Sequence, residues 1–469
     1  MLNHQQLKAV NFSLQPLYLN AGAGTGKTTT LLSRFHFLSK QISIKNILIL
    51  TFNKNAVNNL KKRLKEKDAK IMTFHGFALM VLKQNLAYLK DFHFKNFRLI
   101  DEIEIHEIIR NLLNQFQIKI ICGLDNIISS ISKIKRKIIT KINPFFQKFF
   151  HSYNQILCEK ELMDFDDLIV YTYYLFQNHY FLLNDYQQKF PYLLVDEAQD
   201  IDYYQMEILK MLGTKSLLFM VGDEHQNIYS FRGTKNIYSQ HLKETFQMNE
   251  LKLTYNYRSS SNIVKTANHL LPLSYQLKPT LKTIGKVIYQ PCWDETQEAL
   301  FLVKEIKELI ESKKYQLNDI VILYRKKALK KVLEQFLNKN NIPFKVPKKI
   351  VYVPTNIKLS KEIEKKLKIL NKKFNIKRET IIKNHLTLTS IHQMKGLESK
   401  IVFLIGCEQE TFFDTFLGYS SLEEEKRLMY VAITRARELL YITHTLYRNL
   451  YAYHQKMNPL CFLKEMNLI

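Results

Sequence analysis

Two stretches of the chain combine residue types that handle phosphate. Ala21-Gly-Ala-Gly-Thr-Gly-Lys27-Thr28 follows a short apolar run, Leu17–Asn20, and opens a helix-period stretch, Thr28–Ser39. Glycines let backbone N–H groups close on phosphate oxygens, and a helix N-terminus adds a favourable dipole. In that setting Lys27 reaches the β- and γ-phosphates as a charge, and the Thr28 hydroxyl ligates Mg²⁺. The strict pattern carries Gly at its first position, where this chain has Ala21. The expected phosphate cradle is therefore Ala21, Gly22, Ala23, Gly24, Thr25, Gly26, Lys27 and Thr28, with Thr29 next to it. The second stretch is Tyr192-Leu-Leu-Val-Asp196-Glu197-Ala-Gln-Asp200. An apolar strand that delivers two acids at its end suits a metal ion and an attacking water. Asp196 would hold the metal through water, and Glu197 would orient or deprotonate the nucleophile. Alone, such a pair is a common helix N-terminal charge pair. Together with the glycine loop it specifies nucleoside triphosphate hydrolysis.

The elements that must position these residues are legible as alternation. Short apolar runs at Leu17–Asn20, Ile47–Leu50, Tyr192–Val195, Leu217–Val221, Ile320–Tyr324, Leu386–Ile391, Ile401–Ile405 and Leu439–His444 read as strands. Helix-period stretches such as Thr28–Ser39, Ala56–Lys65, Tyr204–Leu212 and Glu298–Ser312 separate them. Strands alternating with helices predict parallel α/β sheets with function at the strands' C-terminal ends. The strands fall into two sets, before and after about residue 250, which predicts two α/β domains. Two segments interrupt the alternation. Residues 87–163 read as helical (Glu104–Phe116, Ile127–Ile142), and residues 347–384 form a Lys-rich stretch that includes Glu362–Lys373. Both read as insertions.

Composition narrows the classes. In 469 residues, 69 Lys+Arg against 43 Asp+Glu give a net charge of +26, with 46% hydrophobic and 24% charged residues. The 30 Phe and 26 Tyr need a core, which excludes disorder as the main state. The most apolar runs, such as Ile401–Ile405 and Leu217–Val221, fall far short of the ~18–20 residues of a spanning helix, so no membrane is expected. Met1-Leu-Asn-His-Gln-Gln lacks a secretory pattern. The cysteines Cys122, Cys158, Cys292, Cys407 and Cys461 form no Cys-x-x-Cys pair, which argues against a zinc ribbon or disulfide framework. A cytoplasmic location is expected. The positive charge fits a polyanionic partner such as nucleic acid, and equally a general Lys/Ile/Asn bias.

Further motifs carry a family resemblance. Leu2-Asn-x-x-Gln6, Thr73-Phe-His-Gly-Phe, Asp164-Phe-Asp-Asp-Leu, Val221-Gly-Asp-Glu-His-Gln226-Asn-Ile-Tyr229-Ser-Phe231-Arg232-Gly, Asn256-Tyr257-Arg258-Ser, Thr389-Ser-Ile-His392-Gln-Met-Lys395-Gly396-Leu-Glu398 and Glu424-Glu-Lys-Arg-Leu-Met-Tyr430-Val-Ala-Ile-Thr434-Arg435-Ala436 occur in this order. The chain resembles a superfamily 1 DNA helicase of the UvrD/Rep/PcrA type. The resemblance implies two RecA-like P-loop motor domains with parallel sheets, and an ATP- and Mg²⁺-dependent motor that moves 3′ to 5′ on single-stranded DNA and unwinds duplex. Gln6 then reads adenine, Tyr257 stacks on it, and Glu398 lies near the ribose. Gln226 senses the γ-phosphate, and Arg258 and Arg435 meet it from the second domain across a cleft. Phe52, Tyr229 and Phe231 become stacking or groove contacts to DNA, with His75, Arg325 and His392 as further contacts. Stacking tolerates any base, which suits a translocating motor. The implied partners are single-stranded DNA and its junctions with duplex, for a monomer or weak dimer, with accessory repair or replication proteins.

Departures from the pattern matter. Thr29 stands where the family carries a cation against adenine, Phe231 replaces a Trp, and Ser399 replaces an aromatic. The interval between Arg258 and His392 is too short for the family's subdomain 2B, and the C-terminal tail is short. The expected layout is residues 1–86 with 164–250 as the first motor domain, 87–163 as a trimmed helical insertion, 251–346 with 385–469 as the second motor domain, and 347–384 as a Lys-rich remnant of 2B. Two other readings stay open: a DNA-stimulated ATPase that moves without separating strands, and a decayed copy that coats DNA.

Overall fold

The computed structural model describes residues 2–118, 123–230, 233–346, 384–413, 421–450 and 453–469. Phe231 and nearly all of the Lys-rich stretch therefore lie outside the described residues. The chain divides into two compact units, Met1–Lys282 with Tyr419–Val431, and Thr283–Gly418 with Ala432–Ile469.

The first unit is built on a six-stranded parallel sheet. Its order is Lys70–Thr73, Ile47–Thr51, Tyr192–Val195, Leu217–Gly222, Leu17–Ala21, Asn249–Leu253. Side chains alternate between two cores, as a period of two demands. Leu17, Leu19, Ile47, Ile49, Leu194, Phe219 and Val221 face one core with Leu31, Phe35 and Leu60. Tyr18, Leu48, Leu50, Leu193, Val195, Leu218 and Met220 face the other with Phe77, Leu168, Phe176 and Leu209. Helices on both faces leave only the strand ends open, so the residues at those ends become the site.

Within residues 87–163 the described part is largely helical. Glu102–Gln115, Leu124–Lys135 and Pro144–Glu159 enclose their own core of Ile109, Leu112, Ile131, Phe149 and Leu157. Two of the three starts are capped by side chains. Asp101 makes a capping box with Glu104, and Asn143 caps a helix whose first residue is Pro144. The periodic stretch read as Ile127–Ile142 stops at Lys135, because Lys137 turns left-handed at φ 57°. A two-residue parallel pair, Arg98–Leu99 with Leu162–Met163, closes the insertion at its base.

The second unit has a six-stranded parallel sheet of order Lys286–Cys292, Ala436–Thr445, Ser399–Leu404, Ile320–Tyr324, Leu386–Ser390, Phe344–Lys345. Its core gathers Ile320, Ile322, Leu386, Leu388, Ile401, Phe403 and Tyr441 under the helices Glu295–Glu311 and Lys330–Lys339.

The unit boundary differs from the expected cut at residue 250. Asn249–Leu253 pairs along Leu17–Ala21 as the edge strand of the first sheet, and Tyr255–Asn256 pairs with Lys278–Pro279. The segment that carries Tyr257 and Arg258 therefore packs with the phosphate loop, and the division falls after Lys282.

Candidate functional site

In the first unit the phosphate-handling and aromatic residues singled out above follow the C-terminal ends of its strands, while Gln6 lies in the helix His4–Val10. The glycine loop follows Leu17–Ala21, the acids follow Tyr192–Val195, and Asp223 with Gln226 follows Leu217–Gly222. Phe52 follows Ile47–Thr51, and His75 follows Lys70–Thr73. The strand order thus sets phosphate chemistry at the centre of one edge and the aromatic residues toward its flank.

The loop geometry shows why its glycines are required. Gly24 and Gly26 adopt φ of 70° and 86°, a region that side chains resist. A Cβ on Gly24 would come 2.7 Å from Arg258 Cβ, and one on Gly26 would come 2.6 Å from Gln6 Nε2. The Thr25 hydroxyl donates to Gly22 O at 2.8 Å, and Ala23 N–H donates to Tyr430 Oη at 3.2 Å. Lys27 opens the helix Lys27–Ser39 and donates to Ala21 O at 3.2 Å, with Asp223 at 4.0 Å. The ammonium is thus held along the loop.

The acids form a connected polar set. Asp196 is 5% exposed, and burial together with Glu197 pushes its carboxyl up to about 7, against the pull of Lys27. A buried carboxyl at the end of an apolar strand, with a second acid beside it, is the kind of hard oxygen donor that a divalent cation takes. Glu197 itself sits in the left-handed region at φ 53°. Such a backbone costs on the order of 1–3 kcal/mol and needs support. Gln199, which is fully buried, gives that support: its Nε2 donates to Glu197 Oε2 at 2.6 Å, and its Oε1 accepts from Asp223 N–H at 2.9 Å. Gln226 in turn donates to Asp223 Oδ2 at 2.6 Å. Gln199 carries no chemistry legible in the sequence. Its only signal was a polar residue inside an otherwise closed strand-to-helix turn.

A base-binding corner adjoins the loop. Gln6 is buried, accepts from Asn3 N–H at 3.0 Å and donates to Thr25 O at 3.1 Å. An amide has two donors and two acceptor sites, so one of each remains, which is the complement of adenine's N6/N7 edge. Asn3 Nδ2 donates to Tyr257 Oη at 2.7 Å, and Tyr257 N–H donates to Gly24 O at 2.9 Å. The exposed Tyr257 ring is thereby fixed beside Gln6. At Thr29, where the family's cation is missing, Arg63 donates to the hydroxyl at 2.8 Å, so a guanidinium stands there after all.

Two aromatic pairs mark the flank. Phe52 and Tyr229 stack with centroids 5.2 Å apart and planes 20° from parallel. His75 meets the edge of Phe165 at 6.1 Å. Phe165 is 46% exposed although it begins a helix, Phe165–Asn178, whose other apolar residues are mostly buried. The resemblance makes its motif, Asp164-Phe-Asp-Asp-Leu, the return of the chain into the first motor domain and assigns the ring itself nothing. The signal was an aromatic between acids at a helix start.

The other expected residues belong to the second unit. Arg325 follows Ile320–Tyr324, and His392 lies in the turn after Leu386–Ser390, both at C-terminal strand ends. Glu398 and Arg435 precede Ser399–Leu404 and Ala436–Thr445, at the opposite ends. Glu398 pairs with Arg437 at 3.7 Å. The buried Arg435 donates to Leu397 O at 3.1 Å and Thr434 Oγ1 at 3.2 Å. Arg258, expected with this group, is carried by the first unit beside Gly24.

Comparison with known proteins divides the chain near residue 250, ahead of the unit boundary after Lys282. The UvrD/REP helicase N-terminal domain family matches residues 2–247, and the UvrD-like helicase C-terminal domain family matches residues 251–354 and 351–447. Among curated relatives, the protein named ATP-dependent DNA helicase PcrA of Staphylococcus aureus (strain MRSA252) is 27% identical over 636 aligned positions. That alignment covers 99% of this chain and 86% of the relative. The same-named protein of Staphylococcus aureus (strain Mu50 / ATCC 700699) is 28% identical over 637 positions, again covering 99% and 86%. The alignments are longer than this 469-residue chain, so the relatives carry segments that it does not.

Proposed function

The chain belongs to the UvrD/REP helicase family, and on that premise we propose how its residues divide the work of an ATP-dependent DNA helicase. The observation that carries the reading is the shared strand edge of the first unit, where phosphate loop, acids, sensor amide and stacked aromatics stand in strand order. Gln6 and Tyr257 take the adenine, with Arg63 supplying charge at Thr29. Gly22–Gly26 and Lys27 wrap the triphosphate. Thr28 and Asp196 would hold Mg²⁺, which would supply positive charge against the phosphate oxygens. Glu197, clamped by Gln199, aligns the attacking water and takes its proton. Gln226 reports the γ-phosphate to Asp223 and, three residues along the chain, to Tyr229. Arg258 adds positive charge from beside Gly24. Arg435, carried by the second unit, holds the role of transition-state charge that the resemblance gives it.

For DNA, Phe52 with Tyr229 and His75 with Phe165 provide aromatic faces, and Arg325 and His392 provide polar contacts. Movement is 3′ to 5′ along single strands, and a net charge of +26 supplies phosphate attraction that salt weakens. A second reading is favoured by one observation: the relatives' alignments exceed this chain's length. If the missing segments face the duplex, the protein moves along DNA without separating strands. Steady-state ATP hydrolysis with and without single-stranded DNA tests the motor, beside Lys27→Ala. Strong stimulation that the variant lacks, with its DNA binding retained, supports the reading. No turnover from folded protein refutes it. A forked duplex then separates unwinding from bare translocation.

A further inference from the structure

We infer that the second unit carries an aromatic platform for bases of single-stranded nucleic acid, built from Trp293, Tyr447 and His454. This rests on the DNA-motor reading above and extends its track to residues that no family motif contains. Trp293 is the single tryptophan of the chain and is 59% exposed. Its ring centroid lies 5.0 Å from that of Tyr447 with planes tilted by 47°, and Tyr447 lies 5.4 Å from His454 with planes 6° from parallel. Three rings in file, the outermost open to water, form a surface whose affinity is for other flat rings. Aliphatic docking faces have no such order.

The location gives the occupant. Trp293 directly follows the strand Lys286–Cys292, and Tyr447 lies two residues beyond Ala436–Thr445. Those strands are neighbours at one side of the sheet, and their C-terminal ends lie on the same edge as Arg325 and His392. Three strand steps separate Lys286–Cys292 from Ile320–Tyr324, or roughly 14 Å at the usual strand spacing. A strand of nucleic acid crossing from His392 and Arg325 along this edge meets the platform next. Lys456, exposed and in register opposite Tyr447, offers a cation for the backbone. The nearby acids are already engaged: Asp294 caps the helix Glu295–Glu311, and Glu295 accepts from Asn449 Nδ2 at 2.7 Å.

The platform is also held rigid from below. Tyr447 N–H donates to Trp293 O at 2.9 Å, which ties the outermost ring to the middle one through backbone. The next residue, Arg448, is buried and donates to Glu298 Oε2 at 2.7 Å and Glu408 Oε1 at 2.9 Å. Thr443 and Thr445 complete that network. Breaking one member of such a buried set is costly, so the hairpin Tyr447–Leu450 with Tyr453–Lys456 leaves the sheet at a fixed angle. A stacking surface that is already ordered loses little entropy when a base arrives.

Because Trp293 is the only tryptophan, the wild-type protein reports on its own site. The test titrates it with a fluorophore-labelled oligothymidylate, following label anisotropy for binding and tryptophan emission for the platform. The expected result is emission quenched in step with binding, and shielding of Trp293 from iodide. Trp293→Ala should weaken binding roughly 5- to 150-fold, while Trp293→Phe keeps most of it. Binding by anisotropy with unchanged emission, unchanged iodide access and full affinity in Trp293→Ala overturns the platform and leaves the motor reading standing. No binding at all in the wild type refutes the motor reading itself, and the platform with it.

Discussion

Lys135→Met tests how the helical insertion and the first motor unit are joined. Lys135 Nζ lies 2.7 Å from Asp164 Oδ2 and 2.6 Å from Asp167 Oδ1, and its side chain is 4% exposed. Asp164 also accepts from Tyr153 Oη at 3.1 Å, and it caps the helix Phe165–Asn178 in a reciprocal box with Asp167. One ammonium thus serves two carboxylates at a helix start. Removing it strands buried charge, which costs about 3–5 kcal/mol. Burial favours neutral carboxyls here, but Lys135 outweighs it at Asp164, which is held below the usual range. At Asp167 burial and Asp164 prevail, and the carboxyl is pushed up to about 7. The signs follow. The depressed Asp164 contributes stability above its unfolded value that is lost on strong acidification. The raised Asp167 contributes a penalty that is full above about pH 7 and relieved as pH falls from there. Without Lys135 both carboxyls move up, so the damage is greatest in alkali and shrinks toward about pH 6. A chain of two units does not unfold in one step, so the assay is amide hydrogen exchange over Leu124–Lys135 and Phe165–Asn178, corrected for intrinsic rates. Protection should fall roughly a hundred- to a few-thousand-fold at about pH 8, less at about pH 6, and little in Lys135→Arg. Because Phe165 directly follows Asp164, DNA affinity should fall too, and not further once Phe165→Ala is present. A loss below about tenfold, or one indifferent to pH, would refute the reasoning.

Two further outcomes follow from the site. Gln199→Leu fills the same buried space without holding Glu197 or Asp223, so kcat should fall roughly 10- to 150-fold, the worth of a charge-assisted hydrogen bond. Nucleotide affinity, measured by equilibrium binding, should change little, and a fall in binding with kcat preserved would contradict the clamp. Phe52→Ala breaks the stack with Tyr229 and should weaken single-stranded DNA binding by about 1–3 kcal/mol. Unstimulated hydrolysis serves as the comparison, and an equal loss in both would place Phe52 in the fold and not on the DNA.

What the sequence revealed and what it hid divide along a physical line. The central strands Leu17–Ala21, Ile47–Thr51, Tyr192–Val195 and Leu217–Gly222 are buried on both faces, so they appear as unbroken apolar runs. The strands that went unread are edges. Lys70–Thr73 and Asn249–Leu253 close the two sides of the first sheet, and Lys286–Cys292 closes one side of the second. Asn-Glu-Leu-Lys-Leu at 249–253 is mostly exposed and alternates charge with leucine, which reads as linker and draws the domain cut into the middle of a strand. The phosphate loop was legible for the opposite reason. Its chemistry is done by backbone, only glycine tolerates φ of 70° and 86° pressed against Arg258 and Gln6, and so function writes itself into residue type. Gln199 and Lys135 act through contacts made by folding: Gln199 reaches Asp223 24 residues on, and Lys135 reaches Asp164 29 residues on. No local pattern encodes either. Trp293 belongs with them, since a lone tryptophan after an unread edge strand carries no spacing at all. Its meaning arises only when two strands distant in sequence set Tyr447 beside it. Edges and long-range clamps are therefore where this chain departs most from what its motifs announce, and where its own properties within the family are to be sought.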